Sequence, residues 1–176
     1  MALQRTFAMG LGWVGFALVS TMLVAPAGAQ AERGKADLKA GAGAITVDYG
    51  RPSLKGRDMF SQLKEGTFWR MGMNQATVLS TPVDLAFGTT KLVKGSYSLW
   101  LKKAGEKFEL VFNSQTGQWG TQHDPAKDVA GVALKQDALP VPVETFTIDL
   151  KAAAKGGELG LSWGATKLSA DFEVGK

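Results

Sequence analysis

Apolar and polar residues alternate along most of this chain. From Ala44, the residues Ile45, Val47 and Tyr49 take one parity and Thr46 and Asp48 the other, the period-two pattern of a strand with one buried face. The alternation recurs over 95–102, where Tyr97, Leu99 and Leu101 oppose Ser98, Trp100 and Lys102, and again over 108–113 and 167–174. Shorter runs at 76–80, 83–87, 143–150 and 159–163 bring the set to about nine short strands, with turns at Gly88-Thr89-Thr90 and Ala104-Gly105. No strand–helix–strand alternation supports a parallel sheet. The expected fold is therefore all-β: an antiparallel β-sandwich, jelly-roll-like, with a closed β-barrel as the alternative. Parity places Phe112, Phe146, Trp163 and Phe172 in its core. One stretch departs from the pattern. Met59, Phe60 and Leu63 are spaced as on a helix, with Asp58 early, Lys64 late and Gly66 just beyond, which predicts a short helix over 57–64.

The chain ahead of Ala44 reads differently. Arg5 precedes an almost uniformly apolar run from Phe7 to Val24, and Pro26 with Ala27-Gly28-Ala29 supplies a helix break and the small residues of a signal-peptidase site. Residues 1–29 are expected to be a signal peptide, with a retained anchor as the alternative. Residues 30–43 are mostly Ala, Gly, Lys and Glu and are expected to form a flexible leader; residues 44–176 then make a single β domain. The expected location is periplasmic or secreted, with no membrane contact after cleavage. The chain has no cysteine, so disulfides, thiolate metal sites and a cysteine nucleophile are excluded. The formal charge of +4 is spread over scattered lysines, which does not point to nucleic acid.

Candidate chemistry is densest between Asp48 and Asn74. Arg51, Lys55 and Arg57 lie in a loop broken by Pro52 and Gly56, and with Arg70 they would make a rim that attracts anions. Solubility is the plainer role for those loop charges. Arg70 follows Trp69 and precedes Gly72 and Asn74. Its guanidinium is expected either to offer a fork to a carboxylate or phosphate, or to pair internally with Asp48 or Asp58. Asn74 either bonds a ligand or closes a turn. Trp119 stands at a loop tip between Gln118 and Gly120, where it either stacks on a ring or plugs the end of the sandwich. Trp100 is either exposed or covered by a loop. The single histidine, His123, would have to serve any histidine-based hydrolysis, with Ser53 or Ser114 as nucleophile, and any metal site, with Asp124 and Asp128. Neither serine sits in a nucleophile elbow, Gly41-Ala42-Gly43 follows no strand, and no cofactor or metal is expected.

Several short motifs recur together in one bacterial family: Val47-Asp48-Tyr49 with Arg51-Pro52-Ser53, Lys55-Gly56-Arg57, Trp69-Arg70-Met71-Gly72 with Asn74-Gln75-Ala76-Thr77, Gly95-Ser96-Tyr97, Gln118-Trp119-Gly120 and Glu144-Thr145-Phe146. In their order and spacing the chain resembles the exported family catalogued as domain of unknown function 2911. The resemblance implies an exported, mostly β domain with no assigned activity. Many members carry a basic residue after Asp128, where this chain reads Val129-Ala130-Gly131. Three classes of function remain. The first is a non-enzymatic binding module for a small anionic or sugar-like ligand, using Arg70, Asn74, Arg51, Arg57, Trp69, Trp119 and Asp48. The second is a structural protein that pairs with an envelope protein partner. The third is a hydrolase using His123 or the acids Asp48 and Asp58.

Overall fold

The computed structural model describes residues 32–175. The expected signal peptide lies outside them. Among the described residues eleven strands form two antiparallel sheets, and no closed barrel is made. The larger sheet runs β1(Arg33–Ala40), β2(Gly43–Gly50), β4(Thr77–Thr81), β7(Gly95–Ala104), β8(Lys107–Asn113), β9(Asp128–Ala133), with the two-residue β3(Phe68–Trp69) also on β7. The smaller runs β10(Lys135–Ala153), β11(Gly156–Val174), β5(Leu85–Phe87), β6(Thr90–Leu92). β1 packs beside β10 and β6 beside β9, so the edges of the two sheets meet at both sides of the sandwich.

The inward parity of each strand fills the space between the sheets. Phe112 and Phe146 are fully buried, and Trp163 and Phe172 nearly so, as the alternation requires. Trp69 belongs to this core as well: it stacks on Trp163 at 5.3 Å and meets Phe146 edge-on at 4.9 Å. An arrangement that removes several large rings from water is the main source of stability here, at about 25 cal/mol per Å² of apolar surface.

Two expectations fail for local reasons. Residues 33–40, expected within a flexible leader, form β1, paired with β2 from Arg33↔Gly50 to Ala40↔Gly43. Its inward residues Ala36, Leu38 and Ala40 are small or single, yet they pack on the core. Gly41 turns the chain at φ +59°, the left-handed region that glycine enters without a Cβ penalty. The helix expected over 57–64 is absent. Asp58 accepts the Ser61 N–H (3.2 Å) and Leu63 N–H donates to Phe60 O (3.3 Å), so the stretch closes as successive turns. Eight residues carry the nucleation cost of a helix with little propagation to offset it. Phe60 is instead drawn against Trp69, Phe108 and Trp163.

The two long strands of the smaller sheet also bend. Between Ala138↔Thr166 and Thr147↔Ser162 the register of β10 slips twice, and Pro140 and Pro142 sit in the first slip, where a missing N–H breaks no ladder. In the second slip, Leu54 N–H donates to Glu144 O and Phe146 N–H to Pro52 O, both at 2.9 Å, which ties the chain after β2 to the opposite sheet.

Candidate functional site

β3 and β4 run in the same direction along the same edge of β7. Phe68 faces Lys102 and Trp69 faces Leu101; the next partner, Thr77, faces Leu99. The seven residues 70–76 are therefore a bulge in what would otherwise be one strand, opposite Trp100 alone. Trp69 points into the core, so alternation sends Arg70 to the outer face with Phe68.

The bulge is held in a strained shape. Met71 (φ 50°) and Asn74 (φ 63°) both adopt the left-handed conformation, which is uncommon for residues with a Cβ. Thr77 Oγ1 donates to Met71 O at 2.7 Å, Ala76 N–H donates to Gln118 O at 3.2 Å, and Gly120 N–H donates to Asn74 O at 2.8 Å. Close approach depends on missing side chains: a Cβ on Gly50 would collide with the Met73 backbone, and one on Gly120 with the Arg70 side chain. Met71 itself is fully buried and anchors the bulge.

The loop between β8 and β9 lies over the outer face and supplies the opposite wall. Gln118 Nε2 and Trp100 Nε1 both donate to Ser98 Oγ at 3.0 Å beneath it. His123 packs between Phe68 (4.1 Å) and Trp100 (4.6 Å), with Nε2 held 2.9 Å from Asp128 Oδ1. Asn113 Nδ2 donates to both Asp128 Oδ1 and Asp124 O at 2.8 Å. These contacts make His123 a strut of the loop, and Trp100, covered at 2% exposure, is its floor. At the tip, Gln122 N–H donates to Trp119 O at 2.9 Å and Trp119 N–H to Gln122 Oε1 at 3.2 Å. Trp119 remains 49% exposed, so it does not plug the sandwich.

Between the bulge and this tip runs a groove of about 430 Å³, lined by Glu32, Arg33, Met73, Asn74, Gln75 and Trp119 with the end of β2 as its base. Its charges are paired: Arg33 with Asp48, and Arg51 with Glu32 at 2.5 Å. Arg70 is not in the groove lining and is unpaired. Its stem lies against Gly120, its Nε is buried without a partner, and among the described residues it makes no ion pair. The expected pairing with Asp48 or Asp58 is not formed, because Asp48 holds Arg33 and Asp58 caps the Ser61 amide.

Of the residues singled out in the sequence, Asn74 and Trp119 line the groove and Arg70 lies directly behind Trp119's neighbour Gly120. Arg51 and Asp48 are at its margin through their partners. Trp69 is a core residue, and Arg57 donates from Nε to Leu54 O (3.0 Å) away from the groove lining. Glu32, Arg33, Met73 and Gln75 were not foreseen. Glu32 and Arg33 were hidden by the reading of 30–43 as a leader, although Arg33, Lys35, Asp37 and Lys39 alternate with small apolar residues. The hydrolytic candidates are occupied elsewhere: Ser114 Oγ donates to Lys127 O (3.1 Å), Ser53 Oγ lies 3.5 Å from Thr145 Oγ1, and the Asp124 carboxylate accepts the Ala126 N–H (3.1 Å). Among the described residues no cluster of metal-ligating side chains is assembled.

A model of the family described as Protein of unknown function (DUF2911) matches residues 31–172. No curated protein and no solved structure matches the chain. The family match thus spans from the start of β1 into β11 and takes in both walls of the groove; this protein belongs to the DUF2911 family.

Proposed function

We propose that this protein is an exported, non-enzymatic binding module of the cell envelope that holds a sugar-like ligand in the groove between Trp119 and the bulge over 70–76. The observation that carries the reading is Trp119: a half-exposed indole at a loop tip whose backbone is tied down on both sides, opposite a strained and rigid wall. An indole offers an apolar face to the C–H side of a sugar ring, and the amides of Asn74 and Gln75 offer donors and acceptors to its hydroxyls. Paired charges at Glu32 and Arg33 add hydrogen-bonding capacity with little net field. An assembly role has less support: among the described residues the exposed large apolar side chains are Val93, Trp119, Val129 and Val141, scattered along the chain in two connections and two strands.

Titration of the purified protein with cellotetraose and chitotetraose, followed by tryptophan fluorescence, tests the reading. Trp69, Trp100 and Trp163 are shielded and Trp13 falls in the segment expected to be cleaved, so Trp119 of the mature chain should report the binding. Trp119→Ala should stay within ~0.5 kcal/mol of the parent in stability, as an exposed position does, and should lose the ligand. Retention of the ligand by that variant would sink the reading, and release of a cleavage product would favour a hydrolase. Export has its own check: mass spectrometry of the envelope fraction should find a chain beginning at Gln30, and an intact start near Met1 would mean that the apolar segment is an anchor.

A further inference from the structure

We infer that the groove selects sugars that carry an acetamido group, and that Gln75 reads that group beside the Trp119 indole. The inference rests on the binding reading above and adds a ring substituent to it. Gln75 and Trp119 form an isolated antiparallel bridge, in which Ala76 N–H donates to Gln118 O at 3.2 Å and Gly120 N–H to Asn74 O at 2.8 Å. Both bonds flank the pair and neither belongs to it. Such a non-hydrogen-bonded pair is the narrow kind, with Cα atoms about 4.5 Å apart and the two side chains close together on one face. The Gln75 side chain therefore leaves the backbone next to the indole, and both residues line the groove. Because the bridge is made by backbone atoms alone, it leaves the Gln75 amide available to a ligand.

The chemistry of the walls picks out the substituent. A sugar stacked on the indole presents its rim to Gln75. A primary amide holds donors and an acceptor in one plane, which matches the N–H and C=O of an acetamido group as no single hydroxyl does. Met73 lines the same groove, and its thioether offers a soft apolar contact to the acetyl methyl. Charge gives a third reason. Glu32 and Arg33 line the groove, but Arg51 holds the one and Asp48 the other, so an ammonium or a carboxylate on the ring would meet only charges that are already paired. Such a group would lose hydration without gaining a counter-charge, whereas an uncharged acetamido group has its hydrogen bonds met by another amide.

The test compares chitotetraose, cellotetraose and the fully deacetylated glucosamine tetramer, with N-acetylalanine methylamide as an amide without a sugar, on the full protein and on Gln75→Leu, Gln75→Glu and Met73→Ala. Chitotetraose should bind the parent about tenfold tighter than cellotetraose, the factor a pair of neutral hydrogen bonds supplies. Gln75→Leu, similar in size but without polar atoms, should bring chitotetraose down to the level of cellotetraose. Gln75→Glu should move the preference to the glucosamine tetramer and make it weaken with salt, because a carboxylate pairs with an ammonium and cannot donate to a carbonyl. Met73→Ala should narrow the preference for chitotetraose in part. Gln75 is exposed, so both of its variants should melt close to the parent. Equal binding of chitotetraose and cellotetraose by the parent, or an undiminished preference in Gln75→Leu and Gln75→Glu alike, overturns the inference and leaves the binding reading standing. Tighter binding of the sugar-free amide than of chitotetraose overturns the sugar as the carrier of the group. Failure of the parent protein to bind any of the three tetramers overturns both readings.

Discussion

Trp69 and Trp119 are the same side chain in two settings. Trp69 is in register with Leu101 and so must face the core, where it meets Phe60, Phe146 and Trp163. Trp119 is held outward by a loop whose inner side is already filled by Gln118 and His123. The sequence could place Trp119 in a loop from its glycine neighbour. It could not show which segment that loop would lie against, because the bonds from Gly120 to Asn74 and from Ala76 to Gln118 join residues more than forty positions apart. Arg70 was legible as a residue of interest for the same reason that its partner was misjudged: the competition of Arg33 for Asp48 depends on β1. Phe146→Ala should destabilise by about 3–5 kcal/mol in urea denaturation, as expected for a fully buried ring; a loss near zero would contradict the burial. Gly120→Ala should cost about 1–3 kcal/mol through the collision with Arg70 and should impair binding at the same time. Unchanged stability in that variant would show that the loop yields easily.

At the scale of elements, alternation identified the strands with several large inward side chains, missed β1, β6, β9 and the two-residue β3, and divided the long β11 into two runs. β1 is the case in point, because Gly34, Ala36 and Ala40 give almost no hydrophobic signal, yet Gly34 is required where the Tyr49 ring lies. The stretch at 57–64 shows the reverse error: helical spacing over eight residues was overruled by the core's demand for Phe60 and by the Asp58 cap. Shortening the chain to begin at Ala44 should accordingly expose Ile45, Val47 and Tyr49 from the edge side and lower stability, with loss of the groove wall at Glu32 and Arg33. Hydrogen exchange offers an independent check. The amides of 33–40 that bond to β2 should be protected, and exchange as fast as an open chain throughout that stretch would mean that β1 is not formed in solution.

For the molecule as a whole, three groups make stability sensitive to alkali in the same sense. Burial, reinforced by Asp84, raises the Tyr97 hydroxyl above its ordinary 10.0. Hydrogen bonding to Glu158 raises Lys167, and hydrogen bonding to Asp171 raises Lys135, above the ordinary 10.5. A group with a raised folded pKa contributes stability that is complete below its unfolded value and is lost as pH climbs through the folded one. The melting temperature should hold up to about pH 10 and fall beyond it, and Tyr97→Phe and Lys167→Gln should each flatten part of that fall. An unchanged alkaline slope in both would remove these residues as its source. The bulge carries a consequence at this scale too. Because Trp69 and Thr77 already occupy successive inward positions against Leu101 and Leu99, the ladder on either side does not depend on what the chain does between them. Met71 must stay as the anchor, Gly72 because a Cβ there would press on the Gly50 backbone, and a residue tolerant of the left-handed region at 74, which leaves the side chains at 73 and 75 as the exchangeable part of a finished frame. Changes at those two positions would retune what the groove accepts without re-registering a strand.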